Sequence, residues 1–249
     1  DGYRVQETIW YQRLMENTRR SLEAVDSQQY PFCNTSFRGP VDMAAAMMSA
    51  GRLCTAVIDQ PRALKDLLAR ITDIILETAL AHATLLPLYR GGQFYTRGTW
   101  TPGRVLGFSV DAACLFSPAC YEEFFLPCDQ RLCAAFEAPR IHLHTASRQH
   151  FPAWTEIPNL GMQCVIDQAW LPEGHNRPIG PQLTELLPAF KAIRAHKALM
   201  LYGYWDEDLI DAVMRALPPG GCAITGMVED PFLIRRRYLQ PAPKTRADQ

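Results

Sequence analysis

Hydrophobic residues in the first third of the chain recur at the three-to-four-residue spacing of amphipathic helices. The period runs through residues 5–25, and a longer helix is expected from Pro61, a residue suited to the first helical position. A short helix rich in Ala and Met is predicted for residues 41–50, where Gly51 should stop it. This part of the chain is therefore predicted to be mostly helical, with one short aromatic strand at residues 30–37.

The rest of the chain alternates short apolar runs with amphipathic helical patterns. Together with the strand at Tyr30, further strands are expected near Val105, Arg140, Met162, Ala198 and Cys222. Strands that alternate with helices indicate a mostly parallel α/β sheet. Residues 85–89 are one more candidate strand, and residues 90–104, rich in Gly, Thr and aromatic residues, are predicted to form a long loop. Because a closed barrel needs eight strands, a six-stranded doubly wound sheet is the alternative.

Length and composition are those of an ordinary globular protein. The 249 residues, of which 48% are hydrophobic and 20% charged, fit one barrel domain or two smaller ones. A formal charge of −1 gives no reason to expect nucleic acid or an anionic membrane as a partner, and no apolar run approaches the roughly 20 residues that span a bilayer. The eight cysteines include no C-x-x-C pair, so reduced thiols and a cytoplasmic location without a secretory leader are expected.

A family resemblance is carried by the segment of residues 108–127. Its motifs are Phe108-Ser-Val-Asp111, Leu115-Phe-Ser117-Pro118 and Tyr121-Glu-Glu-Phe-Phe125-Leu-Pro127. Further motifs in the same order are Arg38-Gly-Pro-Val-Asp42, Asp59-Gln-Pro61, Ile141-His-Leu-His144 and Gly220-Gly221. In order and spacing this set resembles the uroporphyrinogen decarboxylase family and its corrinoid-dependent methyltransferase relatives.

The resemblance implies a TIM (β/α)₈ barrel that forms a single domain over residues 1–249. Tyr30 would begin the third strand, so the first two β/α units would lie upstream of Asp1. The implied activity is methyl transfer with a corrinoid protein, which carries the corrinoid cofactor, or with a methylated small molecule. Decarboxylation of uroporphyrinogen or a related tetrapyrrole, without a cofactor, is the alternative, although the family's His on the last strand has no counterpart in Thr225-Gly-Met227-Val. A non-catalytic binding protein and a homodimer are further expectations that stay open.

The His-x-His motif is the main candidate for a metal site. Residues two apart on a strand project to the same face, so His142 and His144 should point to one place. The methyltransferase relatives hold zinc here with a His-x-Cys pair, and this chain has His144 where that Cys would be. The resemblance therefore implies zinc on His142 and His144, completed by Asp167 or Glu229. In the metal-free alternative, His144 bonds a substrate or Thr145 while His142 packs.

Asp111 and His144 are the expected catalytic residues. Active groups of a barrel follow the C-terminal ends of its strands, where both residues lie. A carboxylate there can act as a general base, orient a substrate amine or bind metal, although it can also simply cap a loop. Barrel closure should bring the two side chains into one cleft.

Five residues are the expected substrate-binding set. Arg38 and Arg97 could clamp substrate carboxylates, because a guanidinium makes bidentate pairs, although solvated arginines are the alternative. Trp100 could face a flat macrocycle at the barrel mouth. Asp167 and Tyr202 complete the set, since both lie near strand ends.

Overall fold

The computed structural model of the chain describes residues 3–26, 29, 31–95, 98–167, 183–218, 220–228 and 237–238. The described helices are α1 (Ile9–Ala24), α2 (Pro40–Met48), α3 (Ala50–Asp59), α4 (Pro61–Leu85), α5 (Pro118–Phe124), α6 (Leu126–Ala134), α7 (Phe151–Thr155), α8 (Leu183–Arg194) and α9 (Glu207–Ala216). The described strands are β1 (Ser36–Arg38), β2 (Gly92–Tyr95), β3 (Thr99–Pro102), β4 (Val105–Ser109), β5 (Ala138–His144), β6 (Gly161–Val165), β7 (Leu199–Trp205) and β8 (Cys222–Val228). Short 3₁₀ helices, Asp111–Leu115 and Thr145–His150, follow β4 and β5.

Six of these strands form one parallel sheet in the order β1-β4-β5-β6-β7-β8. Every neighbouring pair is parallel, and each connection between neighbours in the sheet carries at least one helix. The mostly parallel α/β sheet predicted from the alternating pattern is thereby confirmed. In the part of the chain that the structure describes, β1 and β8 are the two edges of the sheet, so barrel closure is not seen there.

The core lies between the sheet and helices α2 to α9. Alternate strand residues, such as Ile141 and Leu143 of β5 and Leu201 of β7, are completely buried in this core. Strand side chains point to opposite faces in turn, so the intervening residues belong to the other side of the sheet. We call that side the open face, and its members on the four central and C-terminal strands are Arg140, His142, His144, Gly161, Gln163, Val165, Met200, Tyr202, Tyr204, Ala223, Thr225 and Met227.

Two local sequence predictions, one helix end and one candidate strand, are wrong. Gly51 does not stop a helix: the chain turns at Ser49, whose φ is 74°, and α3 then runs through Gly51, bent by 104° from α2. Residues 85–89 are not a strand, because α4 continues to Leu85 and Tyr89 forms only an isolated bridge. Among the described helices, no single one is long and apolar enough to cross a membrane, and only the bent pair α2–α3 taken together has the length and composition.

The predicted long loop contains the antiparallel hairpin β2–β3, in which Phe94 pairs with Trp100. The hairpin packs on the first half of β4, where the ring of Tyr95 covers Gly107, the middle residue of the strand. A Cβ atom on Gly107 would lie 1.9 Å from that ring, so only glycine leaves the space. The hairpin is thereby fixed beside the N-terminal part of β4, away from the strand ends that precede the 3₁₀ helices.

Candidate metal centre

Two neighbouring strands bring three metal-binding side chains together at the C-terminal edge of the sheet. His142 and His144 lie on the open face at the end of β5, and Asp111 begins the 3₁₀ helix just after β4. One nitrogen or oxygen atom from each residue lies within 4.8 Å of the other two. The structure thus unites Asp111 with both histidines in one place, as the register of adjacent parallel strands leads one to expect.

The spacing of the three groups leaves room for an ion. Asp111 Oδ1 lies 3.8 Å from His142 Nε2 and 3.7 Å from His144 Nε2, which is longer than a hydrogen bond. Ligand atoms of a tetrahedral zinc centre, with bonds of about 2.0–2.1 Å, are about 3.3 Å apart. Asp111 is thus already near the ligand spacing of zinc from both Nε2 atoms, and the three ligand atoms would draw together from separations of up to 4.8 Å to coordinate an ion.

Asp167, directly after β6, orients the ring of His144. The Nδ1 atom of His144 donates to one carboxylate oxygen of Asp167. The other oxygen accepts hydrogen bonds from the hydroxyl of Thr145 at 2.9 Å and from the amide of Ala146 at 3.2 Å. Because Nδ1 is engaged in this way, Nε2 is the nitrogen presented to Asp111, as in metal-binding histidines supported by a carboxylate.

The contact between His144 and Asp167 shifts the pKa of both residues. The hydrogen bond to Asp167 raises the pKa of His144, against an opposing effect of burial. Burial alone would raise the pKa of Asp167, but the hydrogen bond and charge of His144, with the bonds from Thr145 and Ala146, hold it below its ordinary value. The pair is therefore stabilised in its ionic form whenever His144 carries a proton.

Gln163, the middle residue of β6, supports His142 in a similar way. Its side-chain oxygen lies 3.3 Å from His142 Nδ1, and its amide donates to the sulfur of Met200 at 3.4 Å. The sequence reasoning missed Gln163. The available signal was one polar residue in an otherwise apolar strand, since Gln163 is 3% exposed and a buried amide needs partners.

Asp42, near the start of α2, holds the segment that carries Asp111. One of its carboxylate oxygens accepts the amide of Ala112 at 2.8 Å, and the other accepts the hydroxyl of Ser109 at 2.5 Å. Burial and the charge of Asp42 raise the pKa of Asp111, while both histidines and Arg38 lower it. Asp42 also received no role from the sequence, although an acidic residue in the first turn of an Ala/Met helix was a visible signal.

Arg38, the last residue of β1, lies on the rim of the candidate centre. It lines a shallow cleft of about 230 Å³ together with Asp42, Ser109 and Asp111. The side chain is exposed, and its charge acts on Asp111. A guanidinium in this position can pair with a carboxylate that approaches Asp111 from solvent.

Trp100 lies elsewhere, and its predicted place at the mouth of the strands is wrong. It borders a cavity formed with the first residues of β6, β7 and β8, at the opposite end of the sheet from His144. The reason is the hairpin, which folds the predicted loop back beside the start of β4.

The other predicted binding residues have mixed outcomes. The carboxylate of Asp167 is turned toward His144 and its neighbours, which fits a supporting role, and its predicted contact with substrate stays a prediction. Tyr202 lies half-buried on the open face of β7, in register with Val165, which itself pairs with His144. Arg97 and Glu229 lie outside the described residues.

Comparison of the sequence with models of known protein families and with curated proteins finds no match. The likeness to the uroporphyrinogen decarboxylase family therefore rests on the motifs quoted above. The function has to be argued from the arrangement of the site.

Proposed function

We propose that this chain is a metal-dependent methyltransferase of the uroporphyrinogen decarboxylase type, acting with a corrinoid protein or a methylated small molecule. The observation that carries the proposal is the convergence of Asp111, His142 and His144, with each histidine ring oriented by a neighbour. Sequence resemblance supplies the reaction class, and the geometry supplies the metal-binding group.

A barrel of the (β/α)₈ type is part of the same proposal. The strands of the sheet follow one another in chain order, whereas the order in a doubly wound sheet reverses at a switch point. Helices α2 to α9 share one core on one face, whereas a doubly wound sheet carries helices on both faces. These two features support a sheet that winds in one direction around an interior, with the open face turned inward and two further β/α units between β8 and β1.

The donor set suits zinc or ferrous iron. Two imidazoles and one carboxylate are common ligands of both ions, and three protein ligands leave a position for a substrate. Asp167 and Gln163 engage the Nδ1 atoms of the two rings, so that Nε2 of each ring faces Asp111 without rearrangement. When bound, the metal would lower the pKa of a coordinated thiol so that the nucleophilic thiolate forms near neutral pH.

Metal titration combined with a transfer assay tests the proposal. The wild-type protein is expected to bind one zinc ion per chain and to move the methyl group of methylcobalamin to a thiol, followed by the change in cobalamin absorbance. His144→Ala should lose both properties, whereas His196→Ala, which changes an exposed histidine away from the site, should keep both. Lack of stoichiometric zinc would refute the metal centre, and zinc binding without methyl transfer would refute the reaction class alone.

Decarboxylation of uroporphyrinogen or a related tetrapyrrole is a second candidate, favoured by the position of Arg38 beside Asp111. Arg38 could hold a carboxylate arm while Asp111 stabilises positive charge on a pyrrole. The cleft that these residues share measures about 230 Å³, below the roughly 300–1,000 Å³ of pockets for drug-sized ligands, which speaks against a macrocycle. Tetrapyrrole binding that resists chelators would favour this candidate, and binding without turnover would indicate a non-catalytic protein.

A further inference from the structure

Arg140 is a half-buried cation on the open face of β5, two residues before His142. Its guanidinium donates to the backbone oxygen of Pro139 at 3.1 Å, and among the described residues no carboxylate forms an ion pair with it. Desolvating a charge without a counter-ion is costly, so an unmatched guanidinium in this place calls for a physical reason.

The sheet makes room for this guanidinium at Gly161, the residue paired with Arg140 on β6. A Cβ atom at Gly161 would lie 2.3 Å from Nη1 and 2.7 Å from Cζ of Arg140. Any other residue there would displace the arginine, so the glycine provides space for the flat group. The glycine thus lets the guanidinium lie against β6, where a larger residue would make it move.

A cavity of about 230 Å³ opens beside Arg140 on the open face. Trp100 of the hairpin, Met200 of β7 and Ala223 of β8 contribute to its predominantly apolar wall, and Gln163 separates it from the histidines. An aromatic ring and a thioether are surfaces on which a flat apolar group packs well. The cavity thus joins a cation to an apolar wall.

We propose that this cavity binds a small organic anion. Its carboxylate, phosphate or sulfonate group would pair with the guanidinium of Arg140, in the two-hydrogen-bond geometry that arginine favours. Its apolar or aromatic body would pack against Trp100 and Met200. The site adjoins the metal centre through Gln163, which lines the cavity and lies 3.3 Å from His142, but it uses none of the metal-binding residues and does not depend on the proposed methyl transfer.

A charged probe and its neutral isostere test the site. We choose 2-naphthoate and 2-naphthamide, which share a small flat body and differ in charge, and follow their fluorescence in equilibrium titrations with a chelator present, so that the metal centre plays no part. Wild-type protein should bind naphthoate at least tenfold more tightly than naphthamide. Equal affinities would overturn the proposal.

Three variants assign the binding to this cavity. Arg140→Met should abolish the preference for naphthoate and leave naphthamide binding unchanged, whereas Arg52→Met, which alters an exposed arginine of α3, should behave as wild type. Ala223→Phe should fill the cavity and abolish binding of both probes. This variant also tests the site if Arg140→Met fails to fold. Persistent naphthoate preference in Arg140→Met, or probe binding in Ala223→Phe, would overturn the assignment.

Discussion

Replacing Asp167 by Asn tests whether the carboxylate behind His144 tunes the metal centre. The change keeps the size of the side chain and removes its charge, and an Asn oxygen can still accept from His144 Nδ1. Loss of such a supporting carboxylate typically weakens metal binding by about 10–100-fold. At about 1.4 kcal/mol per factor of ten, this corresponds to about 1.4–2.8 kcal/mol of binding free energy.

The pH dependence gives the experiment a second, independent outcome. Metal binding requires a neutral imidazole, so protons compete with zinc below the pKa of His144. The hydrogen bond from His144 to Asp167 raises this pKa in the wild type, and the Asn variant should bring it back toward its ordinary value. As the pH falls, the wild type should therefore begin to lose zinc affinity at a higher pH than the variant. The difference in zinc affinity between the two proteins should be smaller at the lower pH.

The assay is competition for zinc with a chromophoric chelator at pH 8.0 and at pH 6.5. Thr145→Val is the matched control, because it removes a hydrogen bond to the same carboxylate without changing its charge. We expect this control to bind zinc within about threefold of the wild type, because the charge of Asp167 and its hydrogen bond to His144 both remain; the bonds that Thr145 makes to the Asp167 carboxylate and from the Asp167 amide mainly affect stability. An Asn variant with wild-type affinity at both pH values would refute the supporting role of Asp167.

Three further predictions concern the site, a buried acid and the hairpin. His144→Ala should abolish metal binding with little change in Tm, because the side chain is only half-buried. Unchanged methyl-transfer turnover in this variant would refute the proposed metal centre. Burial raises the pKa of Asp129 from 3.8 to about 7, and Tyr121 donates to it at 2.6 Å. The fold thus favours the protonated acid, so wild-type stability should fall as the pH rises from about 4 to 7, by up to about 4 kcal/mol at about 1.4 kcal/mol per pKa unit. Asp129→Asn should flatten this slope in urea unfolding, and an unchanged slope would contradict the assignment. Gly107→Ala should lower Tm, because the new methyl group meets the ring of Tyr95, and a wild-type Tm would show that the hairpin shifts freely.

The local sequence pattern was sufficient to predict most of the sheet. Alternation of short apolar runs with helical patterns predicted the parallel sheet, because a parallel connection needs a crossover and helices supply it. Ser117 followed by Pro118 predicted the start of α5, where the Ser117 hydroxyl accepts the amide of Cys120. The two-residue period of a strand likewise predicted that His142 and His144 face the same way.

The supporting contacts of the site depend on residues that are distant in sequence. Asp167 meets His144 across 23 positions, and Asp42 meets Ser109 across 67. No local pattern encodes such partners, because they are set by which strands become neighbours and in what register. For this reason the sequence assigned Asp167 to substrate or metal, not to the support of His144, and gave Gln163 no role.

The hairpin β2–β3 shows the same limit of local pattern, because a segment predicted to be a loop forms two paired strands. Residues 90–104 lack a clear strand period, and their Gly and Thr content is typical of a loop. Pairing of β2 with β3 and the contact of Tyr95 with Gly107 are tertiary interactions, and they carry Trp100 to the N-terminal end of the sheet. The sequence by itself thus determined the type of sheet and the direction of the histidine pair, because these follow from local periodicity. Only the tertiary structure decided which side chains surround that pair, because strand order and packing bring distant residues together.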